Sequence, residues 1–95
     1  MIKVTIYRTE SDFTRAFKLV GHAGQAEHGK DIVCAAVSGL AQSIIGSLQE
    51  IVGVKPQYSL EPGKIYCEIE EKALDDRRRI QADTLMRSVE IGARQ

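Results

Sequence analysis

Alternating apolar and polar positions at the start of the chain predict two strands. Ile2, Val4 and Ile6 alternate with Lys3, Thr5 and Tyr7, which is the period-two pattern of a half-buried strand. A polar turn at residues 9–12 separates this run from a second one at residues 13–20. We expect the two runs to pair as a hairpin.

A helical period follows a segment that contains two glycines. Residues 23–30 have no apolar period and predict a loop. Asp31 is a suitable N-cap for a helix over residues 32–52, and Gly53 is a suitable C-terminal stop. The apolar stripe of this helix recurs at spacings of three and four: Val33, Val37, Leu40, Ile44, Leu48 and Ile51.

The last part of the chain repeats the order of two strands and a helix. Strand runs at residues 55–60 and 64–70 flank the turn Glu61-Pro62-Gly63, and a second helix is predicted over residues 74–94. The order ββαββα predicts a single α+β domain over residues 1–95. We expect a mostly antiparallel sheet with both helices packed on one face.

Composition narrows the classes of partner. The chain has 95 residues and a formal net charge of zero, so there is no general electrostatic case for direct nucleic-acid binding. We expect the basic run Arg77, Arg78 and Arg79 to lie on a solvated helix face. No stretch has the length of a membrane span and no apolar signal block begins the chain, so we expect no membrane contact and a cytoplasmic location.

The chain has only two cysteines and two histidines, and we expect the cysteines to stay reduced. A zinc site would need all four side chains together, so neither a metal nor another cofactor is expected.

Cys34 and His22 form the candidate chemistry. Cys34 would lie in the first turn of the predicted helix, where the helix dipole lowers a thiol pKa. His22, which follows Gly21 at the end of the second strand, could accept and return a proton. The alternatives are that Cys34 is a small packing residue and that His22 is a surface residue. His28 is an alternative base, although we expect it to be exposed.

Three further residues have a structural interpretation, and two of them also have a functional one. Asp31 is explained as a cap; its carboxylate could orient a histidine, but it would also oppose thiolate formation. Ser38, one helical turn after Cys34, could donate a hydrogen bond to substrate or simply fill space. Cys67 alternates with isoleucines in a strand, which favours a buried and inert thiol.

Two sequence blocks carry a family resemblance. Gly21-His22-Ala23 and residues 31–38, with Gly29 in the segment between them, resemble the bacterial ribosomal-processing cysteine protease family, Prp. The resemblance extends over nearly the whole chain in length and in the order of elements. It implies an α+β fold, a catalytic dyad of His22 and Cys34, and commonly a homodimer.

The implied substrate is a large-subunit ribosomal protein that carries a short N-terminal extension. The resemblance implies a cysteine endopeptidase that removes this extension, and the dyad supports an acyl-transfer mechanism. From their positions beside the dyad, we expect Gly21, Gly29, Asp31 and Ser38 to be supporting or substrate-binding residues. Backbone N–H groups near Cys34 would stabilise the oxyanion. The alternative is a non-catalytic ribosome-assembly or peptide-binding module. A phosphatase-like thiol is weaker still, because no arginine-bearing loop follows the cysteine to hold phosphate.

Overall fold

The computed structural model describes residues 3–21, 28–61 and 63–94, and it describes side chains at residues 3–21, 36–61 and 63–92. Within these residues the elements follow the predicted order ββαββα.

Four antiparallel strands form one sheet. They are β1 (Lys3–Arg8), β2 (Thr14–Val20), β3 (Gln57–Glu61) and β4 (Lys64–Glu68). Their order in the sheet is β1-β2-β4-β3, so β2 and β4 are central and β1 and β3 are the edges. Both predicted hairpins are present, and each predicted strand boundary lies within two residues of the observed one.

Two long helices complete the fold. Helix α1 (His28–Ser47) continues as a π-helical turn over Leu48–Val52, and α2 spans Asp76–Arg94 after a short 3-10 turn at Glu71–Ala73. Gly53 ends the first helix as predicted: it has a φ of 80° and its N–H bonds to the Leu48 carbonyl oxygen. Within the described residues, no helix is both long and apolar enough to cross a membrane.

The predicted start of the first helix was wrong. Helix α1 begins at His28, so Asp31 is its fourth residue rather than its N-cap, and residues 28–30 are not part of a loop. One glycine in a helix costs only about 1 kcal/mol relative to alanine, so Gly29 does not prevent the extension. An aspartate in the first turn also favours a helix through its interaction with the dipole. Residues 23–27 of the predicted loop lie outside the described residues.

One hydrophobic core lies between the sheet and both helices. The strand register places Ile6, Phe17 and Cys67 side by side on the face that the helices cover. The two helices enter this same cluster, so the prediction that both pack on one face is confirmed. Among the described residues, those buried here include Ala41, Ile44 and Ile45 from α1, Leu48 from the π-helical turn, and Ala82, Met86 and Val89 from α2.

Hydrogen bonds connect helix α2 to the start of β2 and to the turn before it. The Thr14 N–H donates a 2.8 Å hydrogen bond to Asp83 Oδ1. Arg87 donates to Asp83 Oδ2 at 2.9 Å and to the backbone oxygen of Asp12 at 2.6 Å. Asp12 has a φ of 64°, which is unusual for a residue other than glycine, and the Arg87 contacts help to hold it there.

Candidate active site

The β3–β4 turn holds the backbone just before His22. The Gly21 N–H donates a 2.9 Å hydrogen bond to the carbonyl oxygen of Gly63. This bond follows directly on the last β2–β4 pair, Val20 with Lys64. The central strand pairing therefore extends to Gly21, and the next residue along the chain is the candidate base. His22 itself lies outside the described residues.

Cys34 is the seventh residue of α1, in its second turn. The N–H groups without an intrahelical partner lie in the first turn of a helix, before the position of Cys34. The predicted position of Cys34 in the first turn was therefore wrong, and so was the placement of unpaired N–H groups at this residue. The dipole effect falls off within the first turn, so it explains little of any activation of this thiol. The Cys34 side chain lies outside the described residues.

The remaining predicted site residues occupy the same helix. Gly29 and Asp31 are in the first turn of α1, and their side-chain surroundings lie outside the described residues. Ser38 follows Cys34 by four residues, so the two positions share one side of the helix. Ser38 is half-buried, which leaves part of its side chain open to solvent.

Cys67 has the environment of an inert thiol. Its side chain is 0 % exposed in the middle of the core. Burial, together with the neighbouring charge of Glu68, raises the pKa of the Cys67 thiol to about 12. The thiol is thus protonated at neutral pH, and the prediction that Cys67 is a buried small hydrophobic residue is confirmed.

The basic run at the start of α2 is only partly solvated. Arg77 and Arg78 are exposed, as predicted, but Arg79 is half-buried. Arg79 bonds to Glu71 and lies 5.6 Å from the centre of the Phe13 ring. This hydrogen bond holds the pKa of the Glu71 carboxyl below its usual value. Arg79 therefore has a structural role that a run of three arginines does not reveal.

A cleft of about 630 Å³ lies at the opposite end of the sheet, where β4 ends. It is formed mainly by the chain after Val52 and the chain after Glu68, and none of the described residues that line it is a cysteine or a histidine. Among its charged residues are Arg15, Lys55, Glu70, Lys72 and Arg78. Among the described residues there is also no group of three or more side chains that could hold a metal ion.

Comparison with known proteins identifies the family. The sequence profile described as "Cysteine protease Prp" matches residues 1–95. A relative from Bacillus subtilis (strain 168), named ribosomal processing cysteine protease Prp, is 33% identical over 88 residues. That alignment covers 90% of this chain and 78% of the relative.

Solved structures share the fold. The essential ribosomal processing protease Prp from S. aureus, in complex with a substrate peptide, superposes with a TM-score of 0.80 at 19% identity, over 99% of this chain and 86% of that one. SMU.848 from Streptococcus mutans has a TM-score of 0.77 at 28% identity, over 97% and 79% of the two chains. The family match favours a protease over a non-catalytic module. The chain belongs to the cysteine protease Prp family and is a cysteine protease.

Proposed function

We propose that this protease removes a short N-terminal extension from a large-subunit ribosomal protein in the cytoplasm, acting as a single domain over residues 1–95. The observation that carries the proposal is the family match over the whole chain, which includes both sequence blocks around His22 and Cys34. The relative from Bacillus subtilis is named for ribosomal processing, and the S. aureus neighbour was solved with a substrate peptide.

The proposed chemistry is acyl transfer at Cys34. The thiolate sulfur attacks the scissile carbonyl carbon, a C–S bond forms, and the carbonyl electrons move onto the oxygen. As the C–N bond breaks, the His22 imidazolium donates its proton to the departing amine. His22 then takes a proton from water, and the resulting hydroxide displaces Cys34 and releases the new carboxyl terminus.

The ion pair with His22 supplies the activation of Cys34 in this proposal. A neighbouring imidazolium lowers a thiol pKa strongly, whereas the helix dipole has little effect at the seventh residue of α1. The activation of the Cys34 thiol in this proposal therefore depends more on the position of His22 than on the position of Cys34 in its helix.

The other predicted site residues have supporting roles in this proposal. Gly21 carries His22 at the end of the central strand. Gly29 and Asp31 belong to the first turn of α1, whose unpaired N–H groups are available to the peptide backbone. Ser38, on the same side of the helix as Cys34, donates a hydrogen bond from its hydroxyl group to substrate.

The functional unit in this proposal is a homodimer. Besides the family resemblance, exposed apolar side chains on the edge strand β3 support the proposed homodimer. Tyr58 and Leu60 pair with Cys67 and Ile65, so they belong to the face that the helices cover. They are nevertheless 47% and 45% exposed, because the helices do not extend over this edge. A second copy would cover both side chains.

The proposed activity is tested by incubating the protein with an N-terminally extended precursor of the ribosomal protein and measuring intact masses. We expect one cut, with products whose masses sum to the precursor plus one water. A precursor with a scrambled extension serves as the control and should remain intact. Equal cleavage of both precursors would show general proteolysis and contradict the proposal.

A further inference from the structure

The turn between β3 and β4 touches the peptide group that joins Gly21 to His22. Gly63 accepts the hydrogen bond from the Gly21 N–H, and its own α-carbon lies beside the Gly21 carbonyl oxygen. A Cβ at residue 63 would be 2.6 Å from that oxygen and 3.8 Å from the Gly21 carbonyl carbon. Side-chain carbons do not approach backbone oxygens so closely, so a methyl group here must displace backbone atoms.

This contact restrains Gly21, the residue that precedes His22. A peptide group is planar, so the Gly21 carbonyl oxygen and the His22 nitrogen move together. The turn contacts Gly21 on both its N–H and its C=O sides. An ordinary contact begins at 3.4 Å, so the oxygen would have to move by roughly 0.8 Å. That movement would tilt the peptide plane between Gly21 and the next residue.

We propose that Gly63 is a positioning residue of the protease: the β3–β4 turn holds Gly21, the residue before His22, and thereby supports the proposed pairing of His22 with Cys34. This inference rests on the proposed catalytic role of His22. In this proposal Gly63 contacts neither substrate nor the reacting atoms. It acts only through Gly21. A misplacement of about 1 Å in a catalytic group can cost on the order of 100-fold in rate, which sets the expected size of the effect.

Gly53 provides a matched control. Its φ of 80° is almost the same as the 79° of Gly63, so alanine meets the same left-handed backbone penalty at both positions. A Cβ at residue 53 would meet only the end of the Arg78 side chain, at 4.0 Å. Gly53→Ala therefore reproduces the backbone strain without disturbing Gly21.

The experiment compares Gly63→Ala, Gly53→Ala and His22→Ala in the full chain. The first measurement is the rate at which iodoacetamide alkylates Cys34 at neutral pH, which reports the thiolate–imidazolium pair. The second is kcat for cleavage of the extended precursor. We expect both glycine variants to lower the urea midpoint, and Gly63→Ala to lower it further because only its Cβ crowds backbone atoms. Only Gly63→Ala should slow alkylation and lower kcat, the latter about 100-fold.

A double variant separates positioning from a general structural effect. In a His22→Ala background, Gly63→Ala should slow Cys34 alkylation no further, because the histidine through which it acts is gone. If Gly63→Ala does not fold, Gly63→Asn replaces it, since asparagine tolerates a positive φ while keeping the disruptive Cβ.

Three results would overturn the inference: wild-type alkylation and kcat in Gly63→Ala, an equal loss in Gly53→Ala, or a further loss when Gly63→Ala is added to His22→Ala. The His22→Ala single variant tests the proposed role of His22 separately. If His22→Ala alone keeps wild-type alkylation and cleavage, the proposed function of His22 fails whatever Gly63→Ala does.

Discussion

The two cysteines should differ sharply in reactivity. With a pKa of about 12, the Cys67 thiol is ionised in only about one molecule in 100,000 at pH 7, and it is 0 % exposed. We expect iodoacetamide to modify the folded protein once, at Cys34, as measured by intact mass and peptide mapping. Cys67 should react only after unfolding in urea.

The control for this labelling is Cys67→Ala, which should gain a single label at the wild-type rate. Modification of Cys67 in the folded protein as fast as Cys34 would contradict the burial argument.

Asp83 links acid stability to the contact between α2 and β2. Burial raises the pKa of this carboxyl, but hydrogen bonds from the Thr14 N–H and from Arg87 outweigh burial and lower it overall. A carboxyl whose pKa is lower in the folded protein stabilises it above the unfolded pKa, near 3.9 for aspartate. This contribution is lost as the pH falls from there through the lower folded pKa.

We therefore expect the urea midpoint to fall as the pH is lowered below about 4, and Asp83→Asn to show a smaller fall over the same window. The measurement is urea unfolding of both proteins at a series of pH values. Asp76→Asn is a suitable control, because Asp76 is exposed at the start of the same helix. Identical acid profiles for Asp83→Asn and the wild type would show that Asp83 does not contribute.

The periodicity of apolar residues predicted the order of strands and helices. Each element buries one face, so its apolar residues recur at the period of a strand or of a helix. The alternation of Ile65, Cys67 and Ile69 corresponds to three buried side chains in the structure. The start of α1 was missed because Asp31 has the chemistry of a cap but also suits a first helical turn. Local preference does not decide between the two.

Irregularities that depend on long-range contacts were also missed. Arg15 is an extra residue in β2: Tyr7 pairs with Ala16 and Arg8 with Thr14. This bulge lets Arg15 lie over the Tyr7 ring, 5.2 Å from its centre. Nothing in the alternation of residues 13–20 marks it, because the insertion is defined only relative to the neighbouring strand.

The two helices are in contact near the end of α2, where Gly92 lies against Leu40. A Cβ at Gly92 would overlap the end of the Leu40 side chain. We expect Gly92→Ala to destabilise the protein by about 1 kcal/mol, because crowding in a packed contact outweighs the better helix propensity of alanine. In a Leu40→Ala background the same substitution should stabilise by up to about 1 kcal/mol.

This double-mutant cycle is measured by urea unfolding. The prediction fails if Gly92→Ala has the same effect in both backgrounds, since the Leu40 contact would then be irrelevant.

At the scale of the whole molecule, the proposed homodimer depends on the exposed edge of β3. Leu60→Glu places a charge where a second copy would bury apolar surface, so we expect the variant to sediment as a monomer at concentrations where the wild type is a dimer. Ile80→Glu is the matched control: Ile80 is 65% exposed on α2, away from this edge, and its substitution should leave the dimer intact. A wild-type monomer, or dissociation by both substitutions, would contradict the assignment.

The candidate site was predictable only in part. His22 and Cys34 stand out because a histidine at a strand end and a cysteine near a helix start are joined by a short segment. The contact between Gly63 and Gly21 could not be predicted, because Glu61-Pro62-Gly63 indicates a turn and gives no sign that this turn contacts Gly21. Such a contact arises from the pairing of β2 with β4, which the order of elements along the chain does not specify.

The role of Cys34 as nucleophile is tested most directly by incubating the extended ribosomal precursor with wild-type protein, Cys34→Ala and Cys67→Ala, each confirmed to be folded. Samples quenched in acid are measured by intact mass. We predict that the wild type and Cys67→Ala remove the extension, and that a covalent adduct of the extension appears on Cys34 during turnover. Cys34→Ala should neither cleave nor form the adduct. Cleavage by folded Cys34→Ala at the wild-type rate would contradict the claim that Cys34 is the nucleophile.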